Sequence, residues 1–167
     1  MGARVILLVN IKSEIGSILL LSSILCYFSA VSVGLVVGRS YGFLRITSYF
    51  ELYAVRSVPS IGLTIAGLAF YFAGRKQFLK RSNDHLTTTI LLLLCGSFLV
   101  GFGFFFLLGG IGAAKYQVAK VGEYTGRTLT DELIVGSPNL LMASLWIMSG
   151  IALLMDIRKS LVLETQK

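Results

Sequence analysis

At 167 residues the chain has room for one domain, and its 14% charged residues against 55% hydrophobic ones are too few to cover a soluble protein, where about 25% charge is usual. Lipid must solvate much of the surface, which excludes a soluble domain. The net charge of +7 falls in short segments beside apolar spans, where basic residues orient a protein and meet anionic headgroups; with no basic patch on an aqueous domain, nucleic acid is not an expected partner.

In chain order, residues 1–14 have no small-residue cleavage site and precede an apolar stretch long enough to span, so they do not read as a signal peptide. Ile6 stands where myristoylation needs Ser or Thr. The first span runs over 15–37 without a charge, enough for roughly 30 Å of hydrocarbon at 1.5 Å per residue. Along it Ser22, Cys26, Ala30, Gly34, Gly38 and Gly42 recur every four residues. Such a row is a smooth groove slanting around the helix, suited to close backbone contact and a right-handed crossing near about −40°. It predicts either docking, on another protein or a second copy, or packing against the chain's own helices.

Residues 43–56 follow. Phe43, Ile46, Phe50 and Tyr53 share one helical face, with Arg45, Ser48 and Glu51 opposite, the pattern of a short helix in the interface plane; a plain connecting loop is the alternative. The second span covers 58–74, with Pro59 in its first turn where a missing N–H costs nothing. The basic connection after it supplies Arg75, Lys76, Lys80 and Arg81 as candidate contacts for anionic lipid. His85 is the single histidine, and Asn83 or Asp84 reads as the cap of the third helix.

The third span, 86–114, is rich in Gly and long enough to tilt or to project before Lys115. Beyond it, Gly122 and Gly126 allow a hairpin, and a helical extension to about Lys120 competes with it. Thr130-Asp131-Glu132 reads as a helix start, and Ser137-Pro138 as a second one, opening the fourth span at 138–155. The expected fold is an all-α, antiparallel bundle of four transmembrane helices forming one membrane domain over 1–167.

Charge orients it. Nine basic residues (Arg4, Lys12, Arg75, Lys76, Lys80, Arg81, Arg158, Lys159, Lys167) fall on the side of the termini, against six on the other over longer loops. The positive-inside rule puts both termini in the cytoplasm.

Chemistry is sparse. Cys26 and Cys95 form no CxxC, and one histidine builds neither a haem pair nor a zinc site, so no metal or cofactor is expected. No motif surrounds a nucleophilic serine, and no catalytic residue is assigned. Glu14 and Asp156 lie at one boundary, with Asp156 expected to pair with Arg158 or Lys159, and no ionisable group lies at mid-span, where a transporter's own charged site would be. The leading functional expectation is a non-catalytic accessory subunit of a larger membrane complex, partnered by membrane lipids and other integral subunits, with homo-oligomerisation as a second form. A small channel or carrier for neutral or apolar solutes is the alternative, and an interfacial lipid-headgroup enzyme the third.

Overall fold

In a bilayer the backbone has no water to bond, so an unbroken helix is the structure these apolar runs must adopt. The computed structural model describes residues 2–41, 49–78 and 86–165, and places the side chains of 12, 14–32, 54–75, 89–120 and 126–159. Its elements are α1 (Gly2–Tyr41), α2 (Tyr49–Phe78), α3 (Leu86–Thr125), α4 (Leu129–Val135) and α5 (Ser137–Thr165). Four of them carry stretches long and apolar enough to cross a membrane: Glu14–Ser32, Ala54–Arg75, Thr89–Lys120 and Ser137–Lys159. The chain is an all-α, multi-pass membrane bundle.

Contacts give the topology. Gly16 of α1 meets Gly67 and Tyr71 of α2, while Ser23 meets Ser60, so α1 and α2 run antiparallel. Gly96 meets Gly150 and Gly103 meets Ala143, so α3 and α5 do too. Between these pairs the order is parallel: Ser57, Thr64 and Arg75 of α2 face Asn139, Trp146 and Asp156 of α5. The result is an up-down-up-down bundle of two tight pairs.

Within each pair the backbones touch. A Cβ at Gly16 would lie 2.6 Å from the Tyr71 amide nitrogen and 2.8 Å from the Gly67 carbonyl oxygen. A Cβ at Gly150 would lie 2.6 Å from the Gly96 carbonyl oxygen. Lipid tails are as apolar as leucine, so close packing of this kind is what holds helices together in a membrane. Buried positions recur three and four apart: Gly16, Leu20, Ser23 and Tyr27 on α1, with Ser17 and Ile24 buried beside them, and Ser57, Ser60, Thr64, Gly67, Tyr71 and Gly74 on α2. This is the seam of a left-handed bundle. Trp146, Tyr71, Leu20, Leu92, Leu99, Met142 and Leu153 fill it, and Ile18, Leu25, Phe98, Phe105 and Met148 point outward as a lipid-facing surface. At one end Tyr27 and Phe28 of α1 stack edge-on with Phe106 and Phe102 of α3, at centroid distances of 4.9 and 5.2 Å.

Several boundaries differ from expectation. Residues 49–56, read as part of an interfacial helix, are the first turns of α2 and run straight into the span; 43–48 lie outside the described residues. The helical extension of α3 prevails over the hairpin and reaches Thr125. Gly126, at φ +67°, breaks it. Thr128, not Thr130, caps α4, because only Thr128 has an acid three residues on to complete a capping box. Asp131 Oδ2 accepts from the Thr128 amide at 2.8 Å, and the Thr128 hydroxyl accepts from the Asp131 amide at 3.4 Å. Ser137 opens α5 as expected. Asn83, Asp84 and His85 lie outside the described residues.

Two outcomes follow from this geometry. Gly16→Ala costs about 1–3 kcal/mol of overpacking, whereas Gly101→Ala, with nothing within 4 Å of its Cβ position, stays within about 0.5 kcal/mol of the parent; unfolding in mixed detergent distinguishes them, and equal losses would dissolve the packing argument. The amide and hydroxyl of Thr128 hold the Asp131 carboxyl below the usual aspartate range. A depressed value in the fold means that the cap's contribution is whole above the unfolded-state value and disappears as pH falls through the folded one. Carbon chemical shifts of 129–135 should report α4 loosening in that acidic window, and a midpoint at or above the ordinary aspartate value would contradict the cap.

Candidate functional site

The side chains that carry chemistry form a polar ladder inside the bundle, between α2 and α5 with α1 contributing. It has three rungs, set by the seam positions of α2 and the matching positions of α5.

At one end, Ser57 Oγ and Tyr27 OH both donate to Asn139 Oδ1, at 2.5 and 3.3 Å. At the middle, the Trp146 indole N–H is shared between Ser23 Oγ and Thr64 Oγ1, each 3.1 Å away. Those hydroxyls can accept because their own protons go to carbonyls: Ser23 to Leu20 at 2.7 Å and Thr64 to Ser60 at 2.8 Å. Ser60 in turn donates to the Ser23 carbonyl at 2.8 Å. At the other end, Arg75 Nε and Nη2 grip the two oxygens of Asp156 at 2.6 Å each, and Tyr71 OH donates to Asp156 Oδ2 at 3.0 Å.

In this arrangement the polar groups hold the helices to one another. The middle hydroxyls each commit a proton to a carbonyl, and none sits beside a base that could activate it. The Asp156 carboxylate, 1% exposed, is saturated by a bidentate guanidinium and a phenol. Cys95 is buried, its thiol directed at the Ser17 carbonyl 3.7 Å away, and Cys26 is half-buried and free. Among the described residues no group of three His, Cys, Asp or Glu side chains could hold a metal ion. Beside the Asn139 rung lies a cleft of about 80 Å³ between α3, α4 and the start of α5, lined by Gly110, Ala114, Gln117, Glu132, Gly136 and Asn139. Pockets for small molecules usually run to about 300–1,000 Å³, so this one has room for a few waters.

The sequence-derived candidates are distributed as follows. Asp156 turns away from Arg158 and Lys159 and pairs across the bundle with Arg75; the expected pairing within α5 fails because Asp156 lies on the buried seam while Arg158 and Lys159 are exposed. Arg75 is therefore a structural partner, its Nε and Nη2 taken and its guanidinium 5.6 Å above the Phe72 ring. Lys76 belongs to α2 without a placed side chain, and Lys80 and Arg81 lie outside the described residues. On α1, Ser22, Cys26 and Ala30 are half-buried and off the seam; Gly34 and Gly38 lie in the helix beyond the placed side chains, and Gly42 outside the described residues. The glycine used for the α1–α2 contact is Gly16. Tyr71, Trp146 and Asn139 were not singled out by the sequence. Two signals were present: the seven-residue spacing of Ser57, Thr64 and Tyr71, and a lone tryptophan whose N–H needs an acceptor in an apolar span.

Comparison of the chain with protein-family models, with curated proteins and with solved structures finds no match.

The ion pair yields an asymmetric prediction. Arg75→Gln strands a carboxylate that cannot reach water, a loss at the lower end of about 3–5 kcal/mol, since the arginine side chain was itself 36% exposed. Asp156→Asn costs less, because a freed guanidinium on a flexible stem can turn to the boundary. Unfolding free energies in detergent check the order, and a larger loss for Asp156→Asn would reverse the reasoning.

Proposed function

We propose that this chain is a non-catalytic accessory subunit of a larger multi-subunit membrane complex, with both termini in the cytoplasm. The observation that carries the reading is the use the fold makes of its small residues. The α1–α2 contact runs through Gly16 and Gly67, and the α3–α5 contact through Gly96, Gly103 and Gly150. Ser22, Cys26 and Ala30, the part of the four-residue row of α1 with placed side chains, are half-buried and lie off that seam. A groove of small residues that the chain's own packing leaves partly open is suited to a helix from another subunit. The polar interior supports the same reading, because its hydroxyls, indole and ion pair are spent on one another.

The experiment is a mild-detergent purification of the tagged chain from its native membrane, with co-purifying proteins identified and their stoichiometry measured. Integral partners in fixed ratio are expected. Gly34→Leu or Gly38→Leu should release them, while Leu25→Ala, at an outward-facing position 67% exposed, should not. A lone chain that passes neutral solutes in liposomes would overturn the subunit reading in favour of a channel.

A further inference from the structure

Arg56 sits in the first turn of the apolar stretch Ala54–Arg75, at the opposite end from Arg75. It lies one helical turn before Ser60, whose hydroxyl reaches the Ser23 carbonyl, so it occupies the flank of α2 that turns toward α1. Its Nε is buried, and among the described residues no group accepts from it. The ion pairs Arg75–Asp156 and Arg127–Glu132 leave it out. Of the acids with placed side chains at its end of the bundle, Asp131 is committed to the Thr128 cap and Glu132 to Arg127 at 3.2 Å; Glu51 and Glu123 lie on α2 and α3 without placed side chains. A half-buried guanidinium with a desolvated donor is costly without an anion.

Depth identifies the anion. Arg56 and Arg75 are separated along α2 by ~28 Å at 1.5 Å per residue, close to the thickness of the hydrocarbon core, about 30 Å. With Arg75 at one polar boundary, Arg56 stands at the other. The fixed anion of that layer is phosphate, and a guanidinium's planar fork matches two phosphate oxygens.

We propose that Arg56 is a phosphate-binding site whose ligand is the phosphodiester of a membrane glycerophospholipid, in the leaflet opposite the Arg75–Asp156 pair. With Nε enclosed, the outer Nη groups of the half-buried guanidinium are the ones that donate to the headgroup. This site is independent of the subunit reading, since a lipid occupies it with or without a protein partner.

The test uses the full chain, delipidated in a maltoside detergent and titrated with a short-chain phosphatidylglycerol while native mass spectrometry counts bound lipid. One lipid should bind saturably. Arg56→Gln should weaken it about tenfold or more, the value of a charge-assisted hydrogen bond. Arg56→Lys should recover part of the affinity, and Arg158→Gln, at the other boundary, should leave it unchanged. Displacement of the lipid by millimolar inorganic phosphate, lost in Arg56→Gln, would assign the site to free phosphate instead; no displacement assigns it to lipid. In the unaltered chain, a photoreactive headgroup should crosslink to the first turns of α2. Equal lipid affinity in Arg56→Gln and the parent, or headgroup crosslinks that avoid α2, would overturn the proposal.

Discussion

The indole N–H of Trp146 lies inside the apolar span Ser137–Lys159, where lipid offers it no acceptor. It is satisfied by Ser23 of α1 and Thr64 of α2 together, each at 3.1 Å, so one donor joins three helices. The sharing works because each hydroxyl gives its own proton to a carbonyl one turn earlier and presents only lone pairs to the indole. A slip of either neighbouring helix by one residue would remove an acceptor and leave a buried donor unpaired. That condition fixes the mutual placement of the helices, and the remaining contacts are arranged around it.

Two kinds of force divide the work. Within the pairs α1–α2 and α3–α5, glycines bring backbones into contact and the gain is dispersion. Between the pairs, α2 and α5 are joined by the three polar rungs. Apolar packing in lipid says little about which helix should meet which, because lipid can replace any apolar neighbour. Hydrogen bonds across helices are worth only about 0.6 kcal/mol each on average in a membrane, yet their geometry admits one arrangement. The glycine contacts supply adhesion and the rungs supply selection.

The fold was legible where composition alone decides: uncharged runs of membrane length read as spans, and Ser137-Pro138 read as the start of α5. After the third span the sequence admits a hairpin or a helical extension to about Lys120; the helix continues further, to Thr125, because an exposed lysine at a helix's watery end breaks nothing. The candidate site was far less legible. The regular row of α1 from Ser22 to Gly42 is conspicuous because its spacing lies within one segment, whereas Asn139, Trp146 and Asp156 have meaning only opposite Ser57, Thr64 and Arg75. Pairing across helices depends on which faces turn inward, and a single span's periodicity shows that weakly when most of its residues are apolar. The seven-residue spacing along α2 and the lone tryptophan are the traces of the ladder that a sequence carries.

The end rungs add a constraint that the middle one cannot. Along α2, Ser57 and Arg75 are ~27 Å apart, and along α5, Asn139 and Asp156 are ~26 Å apart, at 1.5 Å per residue. Both intervals approach the hydrocarbon thickness of about 30 Å. The strongest polar groups therefore fall where the bilayer itself turns polar, and the weaker hydroxyls and indole fall between. Placing the bidentate pair at a boundary limits its desolvation, since Arg75 keeps 36% of its side chain exposed while Asp156 is enclosed. The same pair at mid-depth would lose that relief for its arginine. The ladder is thus graded in polarity along the membrane normal, which couples the register of the helices to the depth of the protein in its lipid.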